Sequence, residues 1–412
     1  MIKNLEKGHT ILTRGPSRIT LLEGKLEVFG KEILPKKENL SLDLSEFEDE
    51  SVIIIPSAKS YPLFALENSK LEIYTSNENE NLKLIKENSI SSKWIKIKDL
   101  ILEEIKKKEH KPLKIMVLGI SSGKTTIIKY LANNFIKEGL KGGYLDSDLG
   151  QQIIYLPTTL NIGTIDDSIV SSEDISSEDT VFIGATYPKG NYKFIVSHSC
   201  KKLIEDYVKN HKETDFILLD TDGWVKQEAG VIYKNFFVKT VNPDVLIIFY
   251  DESIAELKSI EKDARLRKDR KIFLIEENNK YYYDKTKEER RFLRQSQFAK
   301  VLETYRKITI PLSANNIKFI KTDYDMESDS VFEREIDVKE LTRLPYHYVI
   351  IALLDDNSNL IKIGLLFVIN LEKDYILIFS DLTYKEQVKV KKILLGSLRL
   401  STKGNHQGYL YL

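Results

Sequence analysis

A short glycine-containing segment between a largely apolar run and a helical pattern has the residue types that bind phosphate. The apolar run is Lys114–Leu118, and Gly-Lys-Thr follows it at the start of a segment whose apolar residues recur at helical spacing. Backbone N–H groups at a helix N-terminus hold an anionic phosphate, and glycine lets the backbone approach it closely. The lysine is expected to reach the β- and γ-phosphates of ATP, and the threonine hydroxyl to bind Mg²⁺. The predicted nucleotide-binding residues are Gly119, Ser121, Ser122, Gly123, Lys124, Thr125 and Thr126.

The spacing within this loop departs from the usual one by a single residue. The usual phosphate-binding loop has about four residues between its first glycine and Gly-Lys, whereas three residues separate Gly119 from Gly123 here. Either the loop is one residue short, or Leu118 occupies the place of the first glycine. The alternative is a glycine turn that opens an ordinary helix, and the strand-loop-helix context argues against it.

Carboxylates follow two other apolar runs of the central region. Asp146 and Asp148 follow one run, and Asp220 ends the run Phe216–Leu219. Ligands of open α/β sheets lie at the carboxyl edge of the strands, where such side chains meet. One carboxylate can hold Mg²⁺ through water while another orients or deprotonates an attacking hydroxyl. We predict a metal site at Thr125, Asp146 and Asp220; a polar loop with an aspartate helix cap is the alternative for the first acidic segment.

Further segments have residues suited to an acceptor molecule beside the nucleotide. Trp224 follows a glycine in the loop after the second acidic run, where an indole could stack on a base; packing of the loop is the alternative. Thr186 lies in a turn after the strand Thr180–Ile183, a pattern that alone indicates only a turn. Arg290 and Arg294 share a helix face and suit the charge of a transferring phosphoryl group, although a solvated surface is the commoner explanation.

Composition excludes several classes of protein. The chain has 62 Lys and Arg against 62 Asp and Glu, so any nucleic-acid site must be a local basic patch. Cys200 is the single cysteine, which excludes an intramolecular disulfide and a cysteine-rich zinc site. Apolar runs are too short for a bilayer span or a signal peptide. We therefore expect a cytoplasmic protein without a membrane partner.

The pattern of apolar runs divides the 412 residues into three regions. Short strands separated by turns predict a small β-sandwich or barrel in the first region. From Leu113 apolar strands alternate with helical segments, and from about Ile308 short strands return. The predicted fold class is α/β: a central P-loop NTPase domain with a mostly parallel sheet, flanked by small N-terminal and C-terminal β domains. The predicted domains are residues 1–97, 98–312 and 313–412.

The order of these motifs resembles a known family, the polynucleotide 5′-hydroxyl kinases. This family includes the eukaryotic pre-mRNA cleavage-factor kinase, the rRNA-processing kinase and their archaeal relatives. The resemblance spans nearly the whole chain, and the motifs taken in order are far more specific than any one of them. The matching segments are Gly123-Lys124-Thr125-Thr126, Asp146-x-Asp148-x-Gly150-Gln151, Gly184-x-Thr186-x-Pro188, Thr221-x-Gly223-Trp224 and the helix with Arg290 and Arg294.

The resemblance implies transfer of the γ-phosphate of ATP, with Mg²⁺, to the 5′-hydroxyl end of RNA. DNA ends are a second candidate acceptor, and RNA-processing proteins are candidate partners. It implies that Asp148 activates the hydroxyl, that Glu27 contacts adenine, and that Lys59 is a looser candidate for the same contact. The implied catalytic residues are Lys124, Asp148, Arg290 and Arg294, and the implied acceptor-binding residues are Gln151, Thr186 and Trp224.

Two other functions stay open on the sequence alone. A catalytically silent ATP-binding scaffold of an RNA-processing complex would keep the same fold, and the shortened loop favours it. Gln297 also stands where relatives often carry a further lid arginine. A partitioning-type ATPase is the second alternative, but such a protein needs neither the Trp224 platform nor flanking β domains. A kinase assay with RNA, with DNA and without acceptor separates the three functions.

Overall fold

The computed structural model describes residues 1–36, 51–108, 112–120, 123–276 and 285–412. Of the predicted site residues, Ser121 and Ser122 lie outside the described residues. Within the described ranges, no helix has both the length and the apolar character needed to cross a bilayer.

Antiparallel sheets packed against each other form the N-terminal domain. One sheet has the strand order β1-β8-β3-β6 and the other β5-β4-β7-β2-β9. Strands such as β7 alternate buried and partly exposed residues, so one side of each strand supplies the core between the sheets. The elements are β1 (Ile2–Leu5), β2 (Thr10–Arg14), β3 (Ser17–Glu23), β4 (Leu26–Val28), β5 (Lys31–Ile33), β6 (Val52–Ile55), β7 (Ser60–Ala65), β8 (Ser69–Thr75), α1 (Glu78–Asn81) and β9 (Leu82–Ile85).

A mixed sheet with helices on both faces forms the central domain. Its strand order is β13-β12-β11-β14-β10-β15-β16. The strands β11, β14, β10, β15 and β16 run parallel to one another. The elements are α2 (Ser92–Lys107), β10 (Leu113–Leu118), α3 (Lys124–Lys137), β11 (Gly142–Asp146), β12 (Thr159–Ile165), a 3-10 helix (Ser172–Asp174), β13 (Asp179–Phe182), α4 (Tyr192–Asn210), β14 (Phe216–Asp220), α5 (Gln227–Val241), β15 (Val245–Phe249), α6 (Ala255–Ala264), β16 (Lys271–Ile275) and α7 (Lys287–Leu302).

One edge of this sheet differs from the sequence prediction. The strand predicted at Thr180–Ile183 is β13, which is antiparallel to β12, and β12 itself was not predicted. The segment from Asp146 to Thr159 contains no helix, so the chain turns back at once and β12 pairs antiparallel with β11. A parallel return would have required a longer crossover, usually a helix.

Helices bury the apolar faces of the central sheet. On one face, α2 and α3 contribute Trp94, Ile101 and Leu131 to a shared core with β10 and β14. On the other face, α4, α5 and α6 pack through residues such as Leu203 and Phe237. These helices hold the carboxyl ends of the parallel strands in place, and the glycine loop begins at one of those ends.

A large sheet, mostly antiparallel, forms the C-terminal domain. Its order is β17-β22-β21-β20-β23-β18-β19, with β24 paired to β23. Its central strand β20 is buried on both faces. One face packs against Leu156 and Phe182 of the central domain and Phe298 of α7. The elements are β17 (Arg306–Pro311), α8 (Leu312–Asn315), β18 (Lys318–Asp325), β19 (Ser330–Glu335), α9 (Val338–Leu341), β20 (Val349–Leu354), β21 (Leu360–Asn370), β22 (Tyr375–Ser380), α10 (Tyr384–Gln387), β23 (Lys392–Leu400) and β24 (His406–Tyr409).

The elements cross both predicted domain boundaries. The boundary after residue 97 falls within α2, whose apolar face belongs to the core of the central domain. The boundary after residue 312 follows β17, which already pairs with β22 of the C-terminal sheet.

Candidate nucleotide and acceptor site

Parallel pairing brings the acidic segments and the glycine loop to one edge of the central sheet. Asp220 is in register with Val117 on β10 and with Asp146 on β11, so the three strands end side by side. A cavity of about 570 Å³ opens at this edge. The predicted site residues that line it are Gly123, Lys124, Thr125, Thr126, Asp146, Asp148, Gln151, Thr186, Asp220, Trp224, Arg290 and Arg294.

The glycine loop presses against Phe249 at the end of β15. Gly119 has φ 149° and Gly123 has φ 90°, backbone conformations that favour glycine. A Cβ atom on Gly119 would lie 2.7 Å from Phe249 Cβ, and one on Gly123 would lie 2.9 Å from Phe249 Cε1. The Lys124 ammonium is buried and donates to the Gly119 carbonyl at 3.0 Å. Gly119 does not line the cavity, but its carbonyl holds the lysine side chain across the loop.

Thr125 and Asp220 are joined directly at the start of α3 and the end of β14. Thr125 Oγ1 donates to Asp220 Oδ2 at 2.6 Å, and the Tyr144 hydroxyl donates to the same oxygen at 3.3 Å. Asp146 accepts the backbone N–H of Asp148 at 3.0 Å and that of Ile153 at 3.1 Å. Hydrogen bonds therefore fix the orientation of both carboxylates.

Asp148 is held by the turn that follows β11. Its Oδ1 accepts the backbone N–H groups of Gly150 and Gln151, each at 3.0 Å. The turn thus fixes the carboxylate through one oxygen atom. A general base must lie within hydrogen-bond distance of the proton that it accepts, and its pKa matters only once this condition is met. A carboxylate in a fixed position suits that role.

Burial of three carboxylates in one place raises their pKa values. For Asp146 the pKa lies well above the ordinary value because of burial, and then because of the charges of Asp220 and Asp148. Burial, followed by the Asp222 charge, raises the pKa of Asp148. Burial also raises the pKa of Asp220, while Lys124 opposes the shift in both residues. The site therefore favours additional positive charge, and it moves proton acceptance by Asp148 towards neutral pH.

A buried ion pair lies beneath the loop that carries Trp224. The fully buried Lys234 ammonium donates to Asp222 Oδ2 at 3.0 Å, and the Tyr233 hydroxyl donates to the same oxygen at 2.9 Å. Asp222 Oδ1 accepts the backbone N–H of Trp224 at 2.8 Å. The indole lines the cavity, with its ring centre 5.8 Å from that of Tyr233. Asp222 and Lys234 therefore position the candidate stacking residue, a role that sequence reasoning missed.

The C-terminal domain fixes the turn that carries Thr186. The Gly184 carbonyl accepts the backbone N–H of Ser397 at 2.8 Å. Gly184 has φ 74°, and a Cβ atom there would lie 2.2 Å from Gly396 Cα, so only glycine fits this contact between the domains. Thr186 Oγ1 lies 3.2 Å from the hydroxyl oxygen of Tyr409. The turn is thus a junction between the cavity and β23 and β24.

The helix α7, called here the lid helix, rests on the turn after β11. It begins with a capping box at Thr286. Arg294 Nε donates to the Gly150 carbonyl at 2.9 Å, and Gln151 Nε2 donates to the Arg290 carbonyl at 3.2 Å. Both predicted arginines line the cavity. The lid helix therefore brings two guanidinium groups to the acidic segment that holds Asp148.

Lysines on the N-terminal side of the cavity form a wall that the sequence analysis largely missed. Lys129 Nζ lies 3.8 Å from the centre of the Phe29 ring, and burial lowers its pKa well below the ordinary value. Lys285 also lines the cavity, and burial lowers its pKa. Lys59, the looser candidate for an adenine contact, lines the cavity and pairs with Glu173 at 2.7 Å. A lysine within the apolar helix α3 was the only sequence signal for Lys129.

Glu27 does not line the cavity. It lies on β4, where Leu26 and Val28 point into the core of the N-terminal domain and Glu27 points the other way. Burial raises the pKa of Glu27, and Lys137 opposes the shift. The structure brings Phe29 and Lys59 to the cavity instead. Phe29 follows the end of β4 and has φ 50°, so the alternation of side chains along the strand does not extend to it. The predicted adenine contact through Glu27 is therefore not supported by its position.

The oxygen atoms of Thr125, Asp146 and Asp220 are suitable ligands for Mg²⁺. Magnesium prefers hard oxygen donors and usually keeps several waters beside one or two carboxylates and substrate phosphates. Across the described residues, no group of three or more His, Cys, Asp or Glu side chains forms an all-protein metal cage. The donor set fits a metal held jointly with a nucleotide.

The amino-acid sequence is similar to curated archaeal kinases over most of its length. It is 25% identical over 341 residues to a polyribonucleotide 5′-hydroxyl-kinase of Methanocaldococcus jannaschii, covering 74% of this chain and 91% of the relative. It is 26% identical over 341 residues to the kinase of the same name from Pyrococcus furiosus, covering 73% of this chain and 91% of the relative.

A solved structure shares the architecture at low sequence identity. The chain superposes on a protein in the structure of the wild-type Clp1p–Pcf11p complex with a TM-score of 0.70, at 13% identity, over 97% of each chain. This likeness supports the same fold. Residues 119–304 also match the family model described as mRNA cleavage and polyadenylation factor CLP1 P-loop. The matched residues run from the glycine loop to the end of the lid helix, so the similarity to this family model covers most of the central domain.

Proposed function

We propose that this chain is an ATP- and Mg²⁺-dependent kinase that phosphorylates the 5′-hydroxyl end of RNA, with DNA ends as a second acceptor. One observation carries the proposal: Lys124, Asp148, Trp224 and Arg294 line the same cavity although they come from four separate segments. An ammonium, a carboxylate, an indole and a guanidinium around one space are the groups that phosphoryl transfer to a nucleic-acid end requires.

In the proposed reaction, the 5′-oxygen attacks the γ-phosphorus of ATP. A new P–O bond forms, the bond from the γ-phosphorus to the β–γ bridging oxygen breaks, and ADP leaves. Asp148 accepts the hydroxyl proton, and its raised pKa suits a base that works near neutral pH. Mg²⁺, when held by Thr125, Asp146 and Asp220, would neutralise phosphate charge.

Cationic side chains offset the charge that develops on the transferred group. Lys124 lies at the start of α3, and its charge opposes the rise that burial causes in the pKa of Asp148 and of Asp220. Arg290 and Arg294 approach the acidic segment from the lid helix. Positioned cations beside buried carboxylates act more strongly than in water.

The names of the archaeal relatives support the same activity. The relatives from Methanocaldococcus jannaschii and Pyrococcus furiosus are named polyribonucleotide 5′-hydroxyl kinases, and this chain covers 91% of the length of each. Trp224 and Thr186, which line the cavity from separate loops, are the proposed contacts to the terminal nucleotide. Gln151 donates to the lid helix and would connect acceptor binding to the arginines.

The test is transfer of labelled γ-phosphate from ATP to 5′-hydroxyl RNA, to 5′-hydroxyl DNA, and without acceptor. Lys124→Ala and Asp148→Asn should each abolish transfer while circular dichroism remains unchanged. The exposed residues Lys258 and Asp356 provide matched controls, because Lys258→Ala and Asp356→Asn change the same residue types away from the cavity. Full activity of either site variant would contradict the assigned role.

A silent nucleotide-binding scaffold is the second candidate, and the shortened glycine loop favours it. Three residues separate Gly119 from Gly123, one fewer than in the usual phosphate-binding loop. A scaffold would bind ATP tightly and transfer no phosphate to any acceptor. That result in the same assay would overturn the kinase proposal and support the scaffold.

A further inference from the structure

Three tyrosines lie together at the mouth of the cavity, and the Tyr187 and Tyr411 side chains also interact with each other. Tyr187 lines the cavity, and its ring centre lies 5.7 Å from that of Tyr409 in an edge-to-face arrangement. The Tyr409 ring centre lies 6.0 Å from that of Tyr411. Tyr187 is 38% exposed and Tyr411 is 69% exposed. We call Tyr187, Tyr409 and Tyr411 the tyrosine row.

The tyrosine row is attached to the turn at the acceptor side of the cavity. The Tyr409 hydroxyl lies 3.2 Å from Thr186 Oγ1. Leu410, between Tyr409 and Tyr411, is buried, and its backbone N–H donates to the Ser397 carbonyl. The row is therefore held in a fixed position, and it continues the wall that begins at Thr186.

Positive charge flanks the row on the side of the lid helix. The His406 ring centre lies 4.8 Å from that of Tyr409. A Cβ atom on Gly150 would lie 2.8 Å from the Thr186 carbonyl oxygen and 3.4 Å from Arg294 Nη2, so the Arg294 guanidinium lies at the inner end of the row. Arg291, three residues earlier on the lid helix, is exposed, and after burial the charges of Arg294 and Arg291 lower the pKa of His406. Aromatic rings beside arginines combine base stacking with phosphate attraction.

We propose that the tyrosine row stacks the bases that follow the 5′-terminal nucleotide of the acceptor strand, while Arg291 attracts its phosphates. This inference rests on the proposed function, because the acceptor end must enter at Thr186 and Trp224. A nucleic-acid strand is the occupant because the row is continuous with that entrance and because arginine charge complements phosphate. The terminal base would lie near Trp224, and the next bases would leave along Tyr187 towards Tyr411.

The experiment is equilibrium binding without ATP, measured by competition against a fluorescent 5′-hydroxyl oligoribonucleotide. The competitors are a nucleoside 3′-monophosphate and a tetranucleotide. Loss of one stacked base lowers affinity by about fivefold to about a hundredfold, so Tyr411→Ala should weaken tetranucleotide binding at least about fivefold and leave the mononucleotide unchanged. Tyr411→Phe should keep wild-type affinity, because the ring is retained.

The controls separate this proposal from simpler explanations. Tyr384 is 81% exposed on α10, and Tyr384→Ala should change neither affinity. Equal tetranucleotide affinity of Tyr411→Ala and the wild type would overturn the proposal and leave the row as a protein-docking or purely structural surface. Equal weakening for both competitors would also overturn it, because the row would then act on the terminal nucleotide.

The binding assay tests the tyrosine row and the transfer assay tests the kinase proposal, so one proposal can be contradicted without the other. If the wild type binds the tetranucleotide more tightly than the mononucleotide, and only Tyr411→Ala loses the difference, the row is supported even when no phosphate is transferred. Absence of transfer by the wild type contradicts the kinase proposal alone. With an active wild type, Tyr411→Ala should raise KM for the tetranucleotide and leave KM for ATP unchanged, whereas a change confined to kcat would contradict the row.

Discussion

The buried ion pair beneath the Trp224 loop gives the sharpest prediction for stability. Lys234 is fully buried on α5, and its ammonium lies 3.0 Å from Asp222 Oδ2. Lys234→Met removes the charge and keeps a side chain of similar length. The Asp222 carboxylate would then keep its hydrogen bonds from Tyr233 and Trp224 but lose the ammonium that pairs with it.

The expected loss follows from the burial of both groups. Removing one partner of a buried pair costs about 3–5 kcal/mol because an uncompensated charge stays behind, whereas exposed pairs contribute about 0–1 kcal/mol. With an m-value of about 3 kcal/mol per M, a loss of about 3 kcal/mol lowers the urea midpoint by about 1 M. Lys201 forms an exposed pair with Glu205 at 3.9 Å, so Lys201→Met should lower the midpoint little.

Tryptophan fluorescence during urea unfolding is a direct assay, because Trp94 and Trp224 both line the cavity. The double variant Asp222→Asn with Lys234→Met should recover part of the loss, because no buried charge remains unpaired. Equal midpoints for Lys234→Met and Lys201→Met would refute the reasoning. A double variant that loses the sum of the two single losses would refute it as well, since the pair would then contribute no coupling.

Burial and then the Asp222 charge raise the pKa of Asp148. Because the proposed base must be ionised to accept a proton, kcat/KM should decrease at pH values below that pKa. Asp222→Asn should move this acidic limb to lower pH in a pH profile, and an unmoved limb would contradict the coupling. Gly184→Ala should lower the melting temperature more than Gly190→Ala, because both have positive φ but only the first meets a neighbour within 4 Å. Mg²⁺ and ATP at about 100 Kd should raise the free energy of unfolding of the wild type by about 2.7 kcal/mol. In a thermal shift assay, the same ligands should raise the melting temperature of Thr125→Ala by less than that of the wild type.

The central strands were predictable because burial on both faces leaves a continuous apolar signal in the sequence. Runs such as Lys114–Leu118 and Phe216–Leu219 coincide closely with β10 and β14. The strand β12 gave a weaker signal, because Thr159–Ile165 contains Thr, Asn and Gly. Its antiparallel direction could not be predicted either, because the local sequence does not show whether the chain crosses over to a parallel strand or turns back to an antiparallel one.

The candidate site was predictable where chemistry and strand position coincide. Lys124 and Asp220 could be found because each follows an apolar run at the carboxyl edge of the sheet. The cavity wall formed by Lys129 and Lys285 could not be found in this way, because it depends on how the N-terminal domain and the lid approach the central domain. The position of Glu27 outside the cavity could not be found in this way either, because the face of β4 that it occupies is set by the packing of the sandwich.

Contacts at the two ends of the lid helix explain why both β domains matter for the proposed reaction. Near its start, Glu289 pairs with Arg14 of the N-terminal domain at 2.6 Å. Towards its end, Phe298 belongs to the core shared with the C-terminal sheet, and Gly404 packs closely on its Cβ. Arg294 lies between these attachments, so its distance from the acidic turn depends on both domains at once. A P-loop domain without either β domain would retain Lys124 and Asp220, but it would lack the contacts that fix the position of the guanidinium groups.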